Sequence, residues 1–264
     1  MKIHLFYPQA ASLYQLLHSD DRSEYNFNNI LRGESIFTRI RIKYEIAFQI
    51  AKILLTMHNL SSIKHHGHLT SHNIFVDLKK IASGTFEVRV RIADIETFDF
   101  MEYGNIFFNY RISSVWSSPE VLKYQRKILD ITTQMDVYSF GMILWELWHQ
   151  SIPFDNNIKQ AIQYVVKEES RPKIVQSISD IDKEEEEKEE FKDAISEQYD
   201  SLNSIKQDNQ PKYVRTYCDP IVSSLIRKCW TNDPNQRPKV FEICQLLHSK
   251  IQKDLSQDVV IVKV

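Results

Sequence analysis

The sequence predicts a mainly α-helical domain that carries one small β-hairpin. Over residues 36–60, apolar side chains recur at the spacing of one helix face. They are Ile42, Ile46, Ile50, Leu54 and Met57. A second helix is predicted over about 136–149, and residues 74–93 hold two β-branched runs connected through Gly84, which predicts a hairpin. With 264 residues, of which 42% are hydrophobic, the chain is long enough to form a single domain with a core.

The other elements are predicted from start and stop signals taken in chain order. Gly33 precedes the long helix, and the stretch from Asn59 to Ser62 ends it. Asp136 is predicted to be the N-cap of the second helix, because its carboxylate can accept a backbone N–H of the first turn. Three further helices are predicted over about 156–168, from Asp219-Pro220 to Trp230, and from Pro238 onward.

Composition restricts the classes of function and location. A net charge of −2 argues against nucleic acid or an anionic membrane as the main partner. The three cysteines, Cys218, Cys229 and Cys244, have no metal-site spacing and are interpreted as reduced thiols. The first residues form too short an apolar run for a signal peptide, and no uncharged apolar stretch is long enough to span a membrane. We expect an intracellular protein, either cytoplasmic or part of a larger cytoplasmic or organellar assembly.

The most informative stretch is His66–Asn73, which reads H-G-H-L-T-S-H-N. It resembles the catalytic loop of protein kinases, H-R-D-L-x-x-x-N. His66, Leu69 and Asn73 match that motif, whereas Gly67 stands at the position of the arginine and His68 at the position of the catalytic aspartate. An imidazole does not replace a carboxylate that orients a substrate hydroxyl and accepts its proton.

Further motifs follow in the order and spacing of the kinase family. Asp94-Ile95-Glu96 takes the place of D-F-G, and Trp116 to Glu120 resembles W-x-A-P-E. Asp136 to Gly141 and Cys229 to Pro238 also match family motifs. The chain therefore resembles the helical C-terminal lobe of a tyrosine-kinase-like protein kinase over residues 1–254.

The resemblance implies roles for several residues. Asp136 is expected to hold the backbone of the catalytic loop, and Glu120 is expected to form a buried ion pair with Arg237. His66 is expected to be structural. Asn73 and Asp94 occupy the positions of the two magnesium ligands, so weak binding of Mg-ATP remains an alternative to the expectation of no cofactor.

The amino-terminal lobe of a kinase is predicted to be absent or vestigial. The chain has only five glycines, which form no G-x-G-x-x-G, and no V-A-x-K is present. Ile3 to Pro8 resembles the end of the hinge strand, and Ala11 to His18 resembles the short helix after it. A truncated chain, with the lobe encoded upstream, is the other interpretation.

Two departures from the family and one histidine cluster leave alternatives open. An acidic insertion over about 173–216 is either a solvated loop or a docking segment for a basic partner. The β-branched tail, 255–264, either packs on its own domain or adds to a partner's sheet edge. Four histidines near the catalytic loop, His65, His66, His68 and His72, match no metal-site spacing, so no metal is predicted.

The leading hypothesis is a catalytically inactive, kinase-like scaffold or structural subunit. A helical lobe without its partner lobe would expose an apolar upper face, and such faces usually mark interfaces. We therefore expect a protein partner over Phe6, Tyr7, Ile74 and Ile95. The alternatives are an active kinase whose amino-terminal lobe lies upstream or is supplied in trans, and a weak ATP-binding module.

Overall fold

The computed structural model describes residues 10–20, 22–60, 65–94, 114–123, 132–175 and 218–260, with side chains up to Lys253. Its α-helices are α1 (Leu13–His18), α2 (Phe27–Ile30), α3 (Ile36–His58), α4 (Pro119–Lys123), α5 (Thr133–His149), α6 (Ile158–Ile162), α7 (Pro220–Cys229) and α8 (Val240–Val260). Its strands are β1 (Ala11–Ser12), β2 (Ile74–Ala82) and β3 (Thr85–Ile92). The described part of the chain is thus mainly helical with one small sheet, as the sequence predicts.

The sheet is antiparallel, with strand order β1-β2-β3. The predicted hairpin is confirmed: β2 pairs with β3 from Ile74 opposite Ile92 to Ala82 opposite Thr85. Gly84 lies in the turn with φ +68, a conformation that is costly for residues with a Cβ. The two residues of β1 pair with Val76 and Phe75, which connects the beginning of the described chain to the hairpin.

Helix α5 is the centre of the core. Every residue from Met135 to Trp148 is buried, because the helix is surrounded by α3, α7 and the catalytic-loop region. Gly141 lets α5 and α7 pack closely, because a Cβ at this position would lie 2.7 Å from Cys229 Cβ in α7. Burial on all sides suits the mainly apolar sequence of α5, whose buried carboxylates, Asp136 and Glu146, are hydrogen-bonded.

Several predicted boundaries need correction. Helix α5 begins at Thr133 after Thr132, so Asp136 is not its N-cap but lies in its first turn. The helix predicted over 156–168 is not regular, since α6 continues into a π-helical turn over Gln163–Lys167. Helix α8 extends to Val260, which makes the backbone of the first part of the predicted tail helical.

Other predicted helix signals agree with the structure. Ser35 is the N-cap of α3, directly after Gly33 and Glu34, and its hydroxyl accepts the N–H of Thr38. Asp219 caps α7 by accepting the N–H of Ile221. Within the described ranges, no helix has both the length and the apolar character needed to cross a membrane. Most of the acidic insertion, and residues 261–264 of the tail, lie outside the described residues.

Candidate functional site

The start of the catalytic loop is held by one buried carboxylate. Asp136 in α5 accepts the backbone N–H of His66 at 2.8 Å and that of Gly67 at 2.7 Å. His58, at the end of α3, donates from Nε2 to the same carboxylate at 2.9 Å. Asp136 thus connects three segments through charge-assisted hydrogen bonds, which are stronger than neutral ones.

Gly67 suits this geometry because its φ is +74. A residue with a Cβ loses about 1–2 kcal/mol in that left-handed region. Replacement of the motif's arginine by glycine therefore removes a cation and at the same time relieves backbone strain.

His66 connects the loop to the end of the hairpin. Its Nε2 lies 2.8 Å from the carbonyl oxygen of Ala93, so this nitrogen carries the proton. Its Nδ1 accepts the backbone N–H of His68 at 3.2 Å. The ring is fully buried. His66 therefore has a structural role in setting the position of the residue that precedes Asp94.

His68 lies at the turn of the loop, where the sequence motif has its aspartate. The residue is half-buried, and its carbonyl oxygen accepts a hydrogen bond from Asn73 Nδ2 at 3.0 Å. The loop is thus closed on itself with an imidazole at the catalytic position. In its neutral form an imidazole has one donor and one acceptor, whereas a carboxylate has two acceptor oxygens and a negative charge.

The backbone of Asn73 is bonded to the residue that precedes Asp94. Ala93 donates its N–H to the carbonyl oxygen of Asn73 at 2.8 Å, and Asp94 follows with φ +62 and an exposed side chain. Oxygen donors of this kind suit Mg²⁺, which keeps several waters and uses phosphate oxygens as further ligands. In the part of the chain that the structure describes, no three His, Cys, Asp or Glu side chains are grouped as a metal site. To hold a magnesium ion, Asn73 and Asp94 would need further oxygen ligands, such as waters or phosphate oxygens.

Glu120 and Arg237 are brought together from α4 and the segment before α8. Arg237 Nη1 and Nη2 donate to the two carboxylate oxygens of Glu120 at 2.6 and 2.9 Å. The side chain of Arg237 is 0% exposed and that of Glu120 18%. The pair fixes the segment that follows Trp116 against the core.

Sequence reasoning missed a second buried carboxylate, Glu146 in α5. It accepts hydrogen bonds from His18 Nε2 at 2.9 Å, Ser71 Oγ at 2.8 Å and Trp116 Nε1 at 2.6 Å. Glu146 is 0% exposed. Its position inside an apolar helical run could have indicated a buried carboxylate that bonds to other segments, because a buried charge needs partners. Glu146 joins α1, the end of the catalytic loop and the segment before α4.

An aromatic surface lies beside Glu146. The ring of His72 stacks on Tyr14 with centroids 3.9 Å apart and meets the edge of Trp116 at 5.7 Å. Burial lowers the pKa of His72, and the neighbouring His18 lowers it further, against the opposing effect of Glu146. These effects together favour the neutral form of the His72 imidazole.

The predicted partner face needs correction at Ile74. This residue is 0% exposed, because the start of β2 is packed into the core. It cannot contribute to an exposed apolar surface. Phe6, Tyr7 and Ile95 lie outside the described residues.

Comparison with known proteins agrees with this geometry. The sequence model of the family described as "Protein kinase domain" matches residues 4–249. The chain belongs to the protein kinase domain family.

Individual relatives are distant and much longer. The probable serine/threonine-protein kinase roco8 of Dictyostelium discoideum is 28% identical over 208 residues, which are 77% of this chain and 9% of that protein. The receptor-type guanylate cyclase gcy-28 of Caenorhabditis elegans is 25% identical over 85% of this chain and 16% of that protein. The serine/threonine-protein kinase VIK of Arabidopsis thaliana is 24% identical over 80% of this chain and 38% of that protein. The chain thus spans well under half the length of each.

Proposed function

We propose that this chain is a catalytically inactive, kinase-like domain of the tyrosine-kinase-like group that acts as a scaffold or structural subunit. The proposal depends mainly on the presence of His68 at the position of the catalytic aspartate. The hydrogen bonds that shape the catalytic loop are present, yet the residue at the position of the proton acceptor is an imidazole. Loss of the arginine at Gly67 and of the glycine at Glu96 points the same way.

The contrast between retained and lost residues supports this proposal. Asp136, Glu120 and Arg237 serve the fold, and all three make their hydrogen bonds. Two relatives carry names other than kinase: the guanylate cyclase of C. elegans and the cyclic GMP-binding protein C of D. discoideum, which is 28% identical over 83% of this chain. Similarity to this domain is thus not restricted to proteins named as kinases.

A phosphotransfer assay on the intact endogenous protein tests the proposal. The protein is incubated with labelled ATP, a generic protein substrate and either Mg²⁺ or Mn²⁺, and its mass is measured by native mass spectrometry. We expect no transfer above the level of an Asp94→Ala variant. Transfer that disappears in Asp94→Ala would refute inactivity.

The second candidate is an active kinase whose amino-terminal lobe is encoded upstream or supplied in trans. It is favoured by the retention of Asn73, directly before β2, and of Asp94, two residues after β3. A mass larger than that of the 264-residue chain by about one lobe, together with transfer that depends on Asp94, would establish it.

A third candidate, nucleotide binding without transfer, makes a separate prediction. ATP with Mg²⁺ would raise the melting temperature of the wild-type chain and not that of a variant carrying Asn73→Ala and Asp94→Ala. The absence of any shift at millimolar ATP would exclude this candidate.

The proposal includes the remaining expectations about organisation. Residues 1–254 form the kinase-like lobe, with the insertion at about 173–216 as a solvated loop or a docking segment, and residues 255–264 form the tail. A scaffold of this kind is expected to bind other proteins inside the cell. The three cysteines are buried free thiols, which fits a reducing compartment.

A further inference from the structure

One end of the molecule presents three exposed apolar side chains. Ile36 and Phe37 are the first two residues of α3, and Ile81 lies in β2 just before the hairpin turn. These residues are 37%, 80% and 65% exposed, respectively. Scattered apolar residues are common on protein surfaces, whereas several at one place usually mark a site of interaction. We call these three residues the apolar tip.

The two segments that form the apolar tip are fixed to each other. Glu34, two residues before α3, accepts a hydrogen bond from Lys80 Nζ at 2.5 Å and another from the N–H of Gly84 at 3.1 Å. The hairpin turn and the start of α3 therefore lie side by side. The space around them is open, because a Cβ on Gly33 would have no heavy atom within 4 Å apart from its chain neighbours. The apolar tip thus projects from the protein instead of lining a pocket.

The chain segments that contain the apolar tip carry an excess of positive charge. Residues 31–45 and 74–92 hold eight Lys or Arg and four Asp or Glu. One of the eight, Lys43, is buried, so seven cations remain near the surface against four carboxylates. The exposed Glu24, which lines a groove beside β2, reduces this excess without cancelling it.

The carboxylates of these segments are already matched with cations. Asp77 lies opposite Arg89 on the neighbouring strand. Arg32 and Lys79 are exposed, and within the described part of the chain neither forms an ion pair. The charge that is left free beside the apolar tip is therefore positive. The ion pairs of the other three carboxylates are Glu34 with Lys80, Glu45 with Arg41, and Glu87 with Arg89.

We propose that the apolar tip inserts into the surface of a membrane that contains anionic lipids. Phe37 and Ile81 enter the boundary between headgroups and acyl chains, and Arg32 and Lys79 lie at the level of the lipid phosphates. A bilayer suits a projecting apolar surface, because lipids rearrange around it, whereas a protein partner needs a pocket of matching shape.

This attraction is local. The whole chain has a net charge of −2, which disfavours a general attraction to an anionic surface, so binding depends on the orientation that presents the apolar tip. The inference goes beyond the proposed function and does not depend on whether phosphotransfer is lost.

Co-sedimentation of the full chain with lipid vesicles tests the proposal. The vesicles are made of phosphatidylcholine with about one quarter phosphatidylserine, and vesicles of phosphatidylcholine alone are the comparison. We expect the wild-type chain to bind the anionic vesicles. Phe37→Ser combined with Ile81→Ser should weaken binding about fivefold or more, because these apolar side chains no longer leave water. Arg32→Glu combined with Lys79→Glu should weaken it about tenfold or more, since each charge near an anionic surface contributes separately.

The matched controls lie at the other end of the α3–α8 pair. These helices are antiparallel, because the ring of His248 lies 5.4 Å from that of Phe48, and Lys250 Nζ lies 5.9 Å from the ring of Tyr44. Phe241, 55% exposed at the start of α8, is therefore distant from the apolar tip. Phe241→Ser should keep binding within about twofold of wild type, as should the double charge reversal of the exposed residues Lys228→Glu and Lys239→Glu.

Insertion has a signature that charge attraction alone does not produce. We expect lipids brominated on their acyl chains to quench the fluorescence of the Phe37→Trp variant more than that of the Phe241→Trp variant. The four native tryptophans are buried and do not reach the lipid, so the added side chain gives the signal.

Three results would overturn the proposal. The first is the absence of binding to anionic vesicles at millimolar lipid. The second is binding that the variants of the apolar tip and of its cations change no more than the controls do. The third is binding that is lost in Ile261→Ser combined with Val262→Ser but kept in the variants of the apolar tip. Because α8 runs toward the apolar tip, that result would assign membrane binding to the tail.

Discussion

Arg237→Ala is expected to destabilise the domain far more than an ordinary surface substitution. All five N–H donors of the guanidinium are used: two on Glu120, and three on backbone carbonyl oxygens. These carbonyls belong to Thr231 at 2.9 Å, Gln134 at 2.9 Å and Asn232 at 3.2 Å. The guanidinium carbon also lies 5.1 Å from the centroid of the Tyr138 ring.

The expected loss of stability follows from the groups that Arg237→Ala leaves without a hydrogen-bond partner. Breaking a buried ion pair by removing one partner costs about 3–5 kcal/mol. Glu120 is 18% exposed and can be partly rehydrated, which reduces the cost, whereas the three carbonyls lose their donor, which increases it. We expect Arg237→Ala to lower the free energy of unfolding by about 4 kcal/mol. Arg237→Lys should recover less than half of this loss, because an ammonium group has three donors and no planar fork.

Equilibrium urea unfolding, followed by tryptophan fluorescence, measures the effect, because all four tryptophans, Trp116, Trp145, Trp148 and Trp230, are buried in the folded state. Glu120→Gln should cost about 2 kcal/mol, because the amide still accepts one bond and the carbonyls still solvate the guanidinium. In the double variant the two losses should not add, with a coupling of about 2 kcal/mol. Arg227→Ala, at an exposed arginine of α7, is the matched control and should change little. A loss below about 1 kcal/mol for Arg237→Ala, or additive losses, would refute the reasoning.

Three further predictions concern the core and the insertion. Burial lowers the pKa of His149 from 6.5 to about 4, so the folded state favours the neutral ring. The free energy of unfolding should therefore fall by at most about 3 kcal/mol as the pH drops from 6.5 toward 4. Melting temperatures measured across that range should show this decrease, and His149→Gln should make them depend less on pH. Gly141→Ala should cost about 1–3 kcal/mol in urea unfolding, since the new Cβ would lie 2.7 Å from that of Cys229; a cost near zero would contradict the close helix contact. Replacing the stretch between Val175 and Cys218 with two glycines should leave the melting temperature almost unchanged, because Cys218 N–H already donates to the Val175 carbonyl oxygen at 3.0 Å; a large decrease would show that the stretch stabilises the domain.

The elements that depend on local pattern were predictable from the sequence. The stripe from Ile42 to Met57 placed α3, because residues three and four apart share a helix face. Alternating β-branched residues on both sides of Gly84 placed the hairpin. The cap at Asp219 was also predictable, since a short acidic side chain before a proline is a local signal.

The errors arose where tertiary contacts outweighed local preference. Asp136 has the side chain of an N-cap, but its carboxylate is used by the N–H groups of His66 and Gly67, and the helix begins one turn earlier at Thr133. Ile74 was expected at an open surface, and it is buried where the start of β2 packs into the core. The resemblance to kinases implied the contact of Asp136 with the loop, but neither the helix start at Thr133 nor the burial of Ile74 follows from spacing along the chain.

By itself, the sequence determined the family, the helix faces, the hairpin and the substitution of His68 in the catalytic loop, because these depend on residue types at short spacing. The resemblance to kinases also implied the pairing of Glu120 with Arg237, 117 positions apart, and the structure forms that pair. Only the tertiary structure decided that Glu146 gathers donors from three separate segments. It also decided that the side-chain amide of Gln49 bonds to the backbone of Val88 and Val90 at the edge of β3. Such contacts depend on how whole helices and strands pack together. That packing results from many contacts between residues that are distant in the sequence, and short sequence patterns do not reveal it.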